Sequence, residues 1–133
     1  MDRKKIINPA WKRYMSNPAL TYAPAVRMGK MLFISGLTGV DPETGELVST
    51  EDIEAQARQI YRNMADILKA SGATFEHVVQ TTDYVTTKEN YGKTGNVRRE
   101  FFGNSKPASV GFIVKALLRE NALIEVSAIA MID

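Results

Sequence analysis

The closing segment, ALIEVSAIAMID, constrains the fold most, because it is apolar on both of its alternating sides. In an extended strand, Ile124 and Val126 lie on one face. Glu125, Ile129 and Met131 lie on the other. Helices can cover one face of a sheet, but the face of Ile129 and Met131 is too apolar to be left in water. The segment therefore predicts a sheet that is covered on both faces, with one carboxylate, Glu125, on the second face.

The other patterns predict the element order β-β-α-β-α-β-β. Runs rich in β-branched and aromatic residues, bounded by turn residues, predict strands at 20–28, 31–36, 77–87, 109–117 and 122–132. A second, shorter helix is predicted at roughly 91–102. Two helices on one face of a mixed sheet make a two-layer α+β domain.

The first helix is predicted over residues 51–71. Apolar residues recur at helical spacing from Ile53 to Ile67. Ser49 or Thr50 can cap the N-terminus. Gly72 is suited to end the helix, because glycine adopts the left-handed backbone conformation at no steric cost.

Composition limits the classes of function. With 133 residues and 44% hydrophobic content, a single domain over residues 1–133 is expected. The 17 Lys+Arg nearly balance the 15 Asp+Glu, so net charge implies neither a nucleic-acid nor a membrane partner. Without cysteine and with His77 as the one histidine, disulfides, thiolate nucleophiles and multi-histidine zinc sites are excluded. The charged N-terminus lacks the apolar core of a secretory signal, so a soluble cytoplasmic protein is expected.

Three segments resemble a known family when they are taken together. These are SGLTGVDPETGELV, DIEAQARQIYRNMADILKASGATFEHVV and IEVSAIA, in that order along the chain. They are similar to motifs of the Rid family, the YjgF-type reactive intermediate deaminases formerly called L-PSP endoribonucleases. The resemblance extends over roughly residues 22–130.

The resemblance implies a chorismate-mutase-like fold and a homotrimer in which three sheets form an inner barrel. It also implies a small-molecule cleft at each subunit interface, where water hydrolyses an enamine or imine of a 2-keto acid and ammonia is released. No cofactor or metal is implied. The second apolar sheet face agrees with such an assembly, since further copies of the chain would cover it.

The resemblance implies functional roles for three residues of this chain. Glu125 matches the acid that positions and deprotonates the water, and desolvation suits a carboxylate to that task. Tyr22 matches a tyrosine whose hydroxyl reaches the cleft, and Asn96 is the nearest match to a cleft asparagine. The alternatives are an ion pair of Glu125 across the subunit interface, a packing role for Tyr22, and a solvent-facing or capping amide at Asn96.

Two positions depart from the family pattern. Ser109 stands where active deaminases have an arginine that binds the substrate carboxylate, and a hydroxyl cannot replace a bidentate cation. Leu37 stands where the family has a glutamine. Ser109, Leu37, Gly36 and Phe112, with Asn96, are the candidate substrate-binding residues. Arg98 and Arg99 on the second helix are interpreted chiefly as a solvated face. Three other basic side chains are left undecided between solvent and the site, namely Arg27, Lys115 and Arg119.

The favoured function is hydrolysis of an enamine or imine, including larger amino-dienoates, in clefts between subunits. The alternative is a trimer that binds a small ligand or acts as a holdase without chemistry. RNA cleavage is disfavoured by the near-neutral charge and by the lack of a histidine pair.

Overall fold

The computed structural model describes residues 3–133 as one six-stranded mixed sheet with two helices on one face. The strands are β1 (Lys4–Ile7), β2 (Ala25–Met28), β3 (Met31–Leu37), β4 (Val78–Val85), β5 (Ala108–Ile113) and β6 (Ile124–Met131). The helices are α1 (Ile53–Ala70) and α2 (Thr94–Phe102), with 3₁₀ turns at Phe75–His77 and Tyr91–Lys93. The sheet order is β1-β2-β3-β6-β4-β5, and only the β4–β5 pair is parallel. The α+β prediction with two helices is confirmed.

Helix α1 begins slightly later than the sequence predicts. Asp52 is the N-cap, and its carboxylate accepts the backbone N–H groups of Glu54 and Ala55 at 3.0 and 3.1 Å. Ser49, an expected cap, instead closes the preceding turn by accepting the N–H of Asp52 at 3.0 Å. The helix ends at Ala70, and Gly72, the predicted stop, follows the C-cap residue Ser71 with a φ of 73°.

The core lies between α1 and the sheet. Helix α1 packs on β3 and β6. Leu32 and Val126 contribute to the core from these strands, and Ile60 and Ile67 from the helix, each with 0% of its surface exposed. Burying a side chain of this size stabilises the fold by roughly 1.5–3 kcal/mol. The alternation predicted for the last strand is confirmed, since its even-numbered residues are buried.

Two polar residues of α1 are buried for structural reasons. The amide of Gln56 donates to the carbonyls of Ser49 and Asn121 at 2.7 and 3.1 Å and accepts the N–H of Leu123 at 2.8 Å. Asn63 donates to a loop carbonyl at 2.7 Å. Both residues belong to the motif on which the family resemblance rested. In this fold they join α1 to the loops that flank the sheet.

The strand predictions need three corrections. Strand β1 was not predicted, because it is a short, lysine-bearing edge strand with little apolar pattern. Residues 20–24 are not a strand, since β2 begins at Ala25, after Pro24. Strand β5 ends at Ile113 rather than at residue 117. The crossover through α2 places it parallel to β4 at the sheet edge.

The sheet face opposite the helices is apolar and open in the single chain. Phe33, Phe112 and Met131 are 45%, 50% and 47% exposed on this face. Large exposed apolar side chains in one region mark an interaction surface. None of the helices within residues 3–133 has both the length and the apolar content needed to cross a bilayer.

Candidate functional site

Glu125 lies on the open face of the sheet. It is the second residue of β6 and is paired with Tyr84 of the neighbouring strand β4. Val126, the next residue, faces the helices and is fully buried. Because side chains alternate along a strand, Glu125 projects away from the helices. Its side chain is half-buried.

A β-bulge in β3 lies directly beside this carboxylate. The ladder pairs Ile34 with Ala128 and Leu37 with Val126, so Ser35 and Gly36 both lie opposite Ser127. A Cβ atom built on Gly36 would lie 2.9 Å from Cδ and 3.2 Å from Cγ of Glu125. Only glycine leaves room for the carboxylate in its present position.

The environment of Glu125 favours its neutral form. Burial raises the pKa of the Glu125 carboxyl above its ordinary value of 4.5. Within residues 3–133, the carboxylate has no hydrogen bond and no ion pair from another side chain. A carboxyl whose pKa is raised binds a proton more readily than an exposed one, which suits it to accept a proton from water and return it.

Tyr22 lies beside the same bulge. It belongs to the loop before β2 and is 58% exposed. The loop is tied to the bulge, because the Ser35 hydroxyl donates to the carbonyl of Ala23 at 2.5 Å and the Ser35 N–H donates to the carbonyl of Pro24 at 3.0 Å. Tyr22 and Ser35 line one groove.

Phe112 also lies on the open face. It pairs in register with Tyr84, and the two rings stack with centroids 5.9 Å apart. Since Tyr84 is in turn paired with Glu125, the three side chains form a row across β5, β4 and β6. Four candidate residues therefore share this face: Glu125, Gly36, Tyr22 and Phe112.

Ser109 lies on the opposite face. Its register partner is Thr81, which is 1% exposed beneath the helices. Ser109 lines a groove of about 250 Å³ with Arg98, Arg99 and Lys106. Within one chain the structure does not bring Ser109 and Glu125 together.

Leu37 and Asn96 are also separated from Glu125 within the chain. The Leu37 side chain is 0% exposed and belongs to the core, so it supplies no side-chain surface to the open face. Asn96 is exposed on α2, where its side-chain oxygen accepts a hydrogen bond from Arg99 at 2.7 Å. This position agrees with the alternative given for Asn96 in the sequence analysis, a solvent-facing amide on a helix.

Ser35 and Tyr84 were not selected as candidates from the sequence. Ser35 directly precedes Gly36, so the Ser-Gly pair was an available signal. No sequence pattern indicated that Tyr84 would lie between Glu125 and Phe112, because strand pairing decides this.

A second acid, Asp83, is buried under α2. Its carboxylate accepts the Tyr91 hydroxyl at 2.6 Å and Arg98 Nη1 at 3.4 Å. Burial raises the pKa of Asp83, while the hydrogen bond from Tyr91 and the charge of Arg98 act in the opposite direction. Asp83 therefore joins α2 to the sheet. Nowhere in residues 3–133 do three or more His, Asp or Glu side chains form a group that could hold a metal ion.

Comparison with known proteins places the chain in a family. The family model described as Endoribonuclease L-PSP matches residues 14–132. The chain belongs to this family, the Rid family. A RutC family protein of Pyrococcus horikoshii is 40% identical over 85% of this chain and 88% of its own length. A Mus musculus protein named 2-iminobutanoate/2-iminopropanoate deaminase is 36% identical over 83% of this chain and 80% of its own length.

Solved structures agree with this assignment. A Rid family protein from Yersinia pestis has a TM-score of 0.87 at 30% identity, and the match covers 98% of this chain and 100% of that one. RidA from an Antarctic Psychrobacter has a TM-score of 0.81 at 30% identity, with 90% and 94% covered. The family resemblance derived from the sequence motifs is confirmed.

Proposed function

We propose that this Rid family chain is a deaminase that hydrolyses enamine or imine intermediates, with Glu125 as the base that activates water. The observation that carries the proposal is the half-buried Glu125 carboxylate, which has a raised pKa and no partner within residues 3–133. An acid used only for structure is normally paired when it is desolvated. The name of the mouse relative, an imine deaminase, supports the same chemistry.

The proposed reaction uses one water and two successive proton transfers through Glu125. An enamine first takes a proton on carbon, loses one from nitrogen and so becomes the imine. Glu125 removes a proton from water as the oxygen attacks the imine carbon, and the C=N bond becomes a C–N single bond. Glu125 passes this proton to nitrogen, which gives a carbinolamine. Glu125 then transfers the hydroxyl proton of the carbinolamine to nitrogen, so that the C=O bond forms as the C–N bond breaks and ammonia leaves. The products are a keto compound and ammonia, and Glu125 is regenerated.

We further propose that the cleft is completed by neighbouring copies in a homotrimer. The open face carries the exposed side chains of Phe33, Phe112 and Met131. Covering this face by sheets of further copies would bury these side chains and the walls around Glu125. Exclusion of water would then strengthen the electrostatic interactions of the carboxylate with a substrate.

Small 2-imino acids are expected to be poor substrates. Ser109 replaces the arginine that the family uses for the substrate carboxylate, so the ligand would be held by neutral donors. Loss of a charge-assisted bidentate contact costs on the order of 2–4 kcal/mol, or about 30- to 1,000-fold in rate. The proposed substrates are therefore larger enamines or imines, such as amino-dienoates, whose binding does not depend on a small carboxylate held by that arginine.

Ammonia release in the presence and absence of the protein tests the proposal. Imines are generated in the assay from L-amino acids with large side chains by an L-amino acid oxidase, with catalase to remove peroxide, because small 2-imino acids are expected to be poor substrates. We expect Glu125→Gln to reduce the protein-dependent rate by about 10²- to 10⁴-fold. Glu120→Gln is the matched control, because Glu120 is an exposed acid in the preceding loop. Its rate should stay within about twofold of wild type.

Two results would contradict the proposal. Equal rates for Glu125→Gln and wild type would remove Glu125 from the chemistry. A wild-type protein that binds imines or their keto products but never accelerates ammonia release would favour the alternative, a non-catalytic ligand-binding trimer.

A further inference from the structure

Positive charge is concentrated in the N-terminal part of the chain. Residues 3–40 contain seven Lys or Arg and no Asp or Glu, whereas residues 41–133 contain ten Lys or Arg and fourteen Asp or Glu. The near-balance of charge over the whole chain is therefore the sum of a basic part and an acidic part. Arg3, Lys4 and Lys5 at the edge strand β1 and Arg27 in β2 belong to the basic part.

Two of these cations lie directly opposite each other in the sheet. Lys5 pairs in register with Arg27, so both side chains project from the same face. Together with Arg3 and Gly29 they line a cavity of about 240 Å³. We name this cavity the β1–β2 cation site and define it by these four residues.

The positive charges of this site are not neutralised by acids of the chain. The ion pairs found within residues 3–133 include none of Arg3, Lys5 and Arg27. Asp133 lies near the same turn, since the preceding residue donates its N–H to the carbonyl of Lys30 at 2.7 Å, but it pairs with none of the three cations. Like charges directly opposite each other destabilise an antiparallel pair. A conflict of this kind between a local rule and the fold is typical of a position used for binding.

Arg27 is oriented by the turn between β2 and β3. Its Nε donates to the carbonyl of Gly29 at 2.9 Å, while its two terminal nitrogens have no hydrogen bond within residues 3–133. Gly29 has a φ of 60°, which this two-residue turn requires. The guanidinium is half-buried and is held in place before a ligand arrives. Its planar group can donate to two oxygens of an oxyanion at once.

The chemistry of the site matches a phosphate group. A phosphate monoester carries close to two negative charges at neutral pH and three terminal oxygens, so it can bridge several cations at once. The cavity is smaller than the roughly 300–1,000 Å³ of a typical small-molecule site, so it has room for a phosphate group rather than for a whole metabolite. We propose that the β1–β2 cation site binds a dianionic phosphate group, either free phosphate or the phosphate of a small phosphorylated molecule.

This inference is independent of the proposed deaminase function. Arg27 pairs with Leu32 of β3, whose side chain is fully buried on the helix side of the sheet. Glu125 projects from the opposite face. A substitution in the β1–β2 cation site should therefore leave the rate of ammonia release unchanged, and the two proposals can fail separately.

The test is a titration of the ¹⁵N-labelled protein with inorganic phosphate and, separately, with glycerol 3-phosphate, at a constant ionic strength of about 0.15 M. The backbone amide signals of Lys5, Arg27 and Gly29 should shift, with a Kd on the order of 1 mM, because the cations are largely exposed. Lys5→Gln should weaken binding about tenfold. Lys4→Gln is the matched control, because it removes the same charge from the adjacent residue, which faces the other side of β1. Its Kd should stay within about twofold of wild type.

Two further measurements examine the charges themselves. The affinity for glycerol 3-phosphate should rise between about pH 5 and pH 7 as the phosphate loses its second proton, since Lys and Arg stay charged over this range. The affinity for sulfate, a dianion throughout, should stay constant. Without phosphate, Lys5→Gln should melt at a slightly higher temperature than wild type, because the repulsion from Arg27 is removed.

A second variant, Arg27→Gln, should also weaken binding about tenfold or more. Binding of only one of the two anions identifies the source of the phosphate group and supports the site. No shift at about 20 mM of either anion, or shifts that persist in both Lys5→Gln and Arg27→Gln, would overturn the inference. Binding of an RNA oligonucleotide when neither small anion binds would also overturn it, because the surface would then recognise a polyanion.

Discussion

Substitution of Gly36 by alanine tests the geometry of the site most directly. The new Cβ atom would lie 2.9 Å from Cδ and 3.2 Å from Cγ of Glu125. Carbon atoms pack at roughly 3.5–4.0 Å, so the carboxylate must move by at least about 0.6 Å. The backbone offers little relief, because the ladder pairs of Ile34 and Leu37 flank the bulge on both sides. The side chain of Glu125 is therefore the group that moves.

The expected loss in activity follows from this displacement. Misplacement of a catalytic group by about 1 Å costs on the order of 100-fold in rate. A shift of somewhat more than half that distance should lower kcat/KM by about 10- to 100-fold. Because the sheet face of Glu125 is open in the single chain, the displaced side chain has space to move, and the melting temperature of Gly36→Ala should fall by only a few degrees.

The assay is ammonia release from an imine that wild type hydrolyses, with melting followed by circular dichroism. Gly95→Ala is the matched control, because Gly95 lies in α2 and an added Cβ would meet only Arg99 Nη1, at 3.9 Å. It should keep full activity and stabilise the helix by about 0.5–1 kcal/mol. A Gly36→Ala protein with wild-type kcat/KM would refute the contact between the bulge and a catalytic carboxylate.

Three further substitutions have defined outcomes. Because burial raises the pKa of Glu125, its contribution to stability is present below the ordinary value of 4.5 and is lost as pH rises through the raised pKa. The melting temperature of Glu125→Gln should therefore rise relative to that of wild type as pH increases from 4.5 through the raised pKa. A lower melting temperature of the variant at pH 7 would indicate that Glu125 forms an ion pair instead. Ile129→Asp should dissociate the proposed trimer, so the mass measured by light scattering should fall to that of one chain. The reason is that an unpaired charge in an apolar interface costs roughly several kcal/mol. Leu118→Asp, the control at an exposed position, should leave the mass unchanged. A trimer that tolerates Ile129→Asp would show that the sheet face of Ile129 is not the interface. Gln56→Leu leaves the Ser49 and Asn121 carbonyls and the Leu123 N–H without their partner, so it should cost about 2–5 kcal/mol in a urea titration. An unchanged midpoint of the urea transition would show that water replaces the hydrogen bonds of Gln56.

The local elements were predictable because their signals are local. Apolar residues at helical spacing predicted α1, and runs rich in β-branched and apolar residues predicted β4 and β6, each close to its observed bounds. The lone acid in an apolar strand drew attention to Glu125, and its motif matched the family. The edge strand β1 has no apolar pattern of this kind. Its lysines suit an exposed sheet edge, where they prevent pairing with other chains, and they give no sign of burial.

The arrangement of the site depended on contacts between segments distant in the sequence. Placing β6 between β3 and β4 brings Gly36 and Tyr84 to Glu125. The β4–β5 register turns Ser109 to the helix side, although its motif suggested a position in the cleft. The sequence by itself determined which residues alternate along each strand, since this follows from backbone geometry. Only the tertiary structure decided which faces and neighbours these residues share, because strand order and register are set by packing between elements rather than within them.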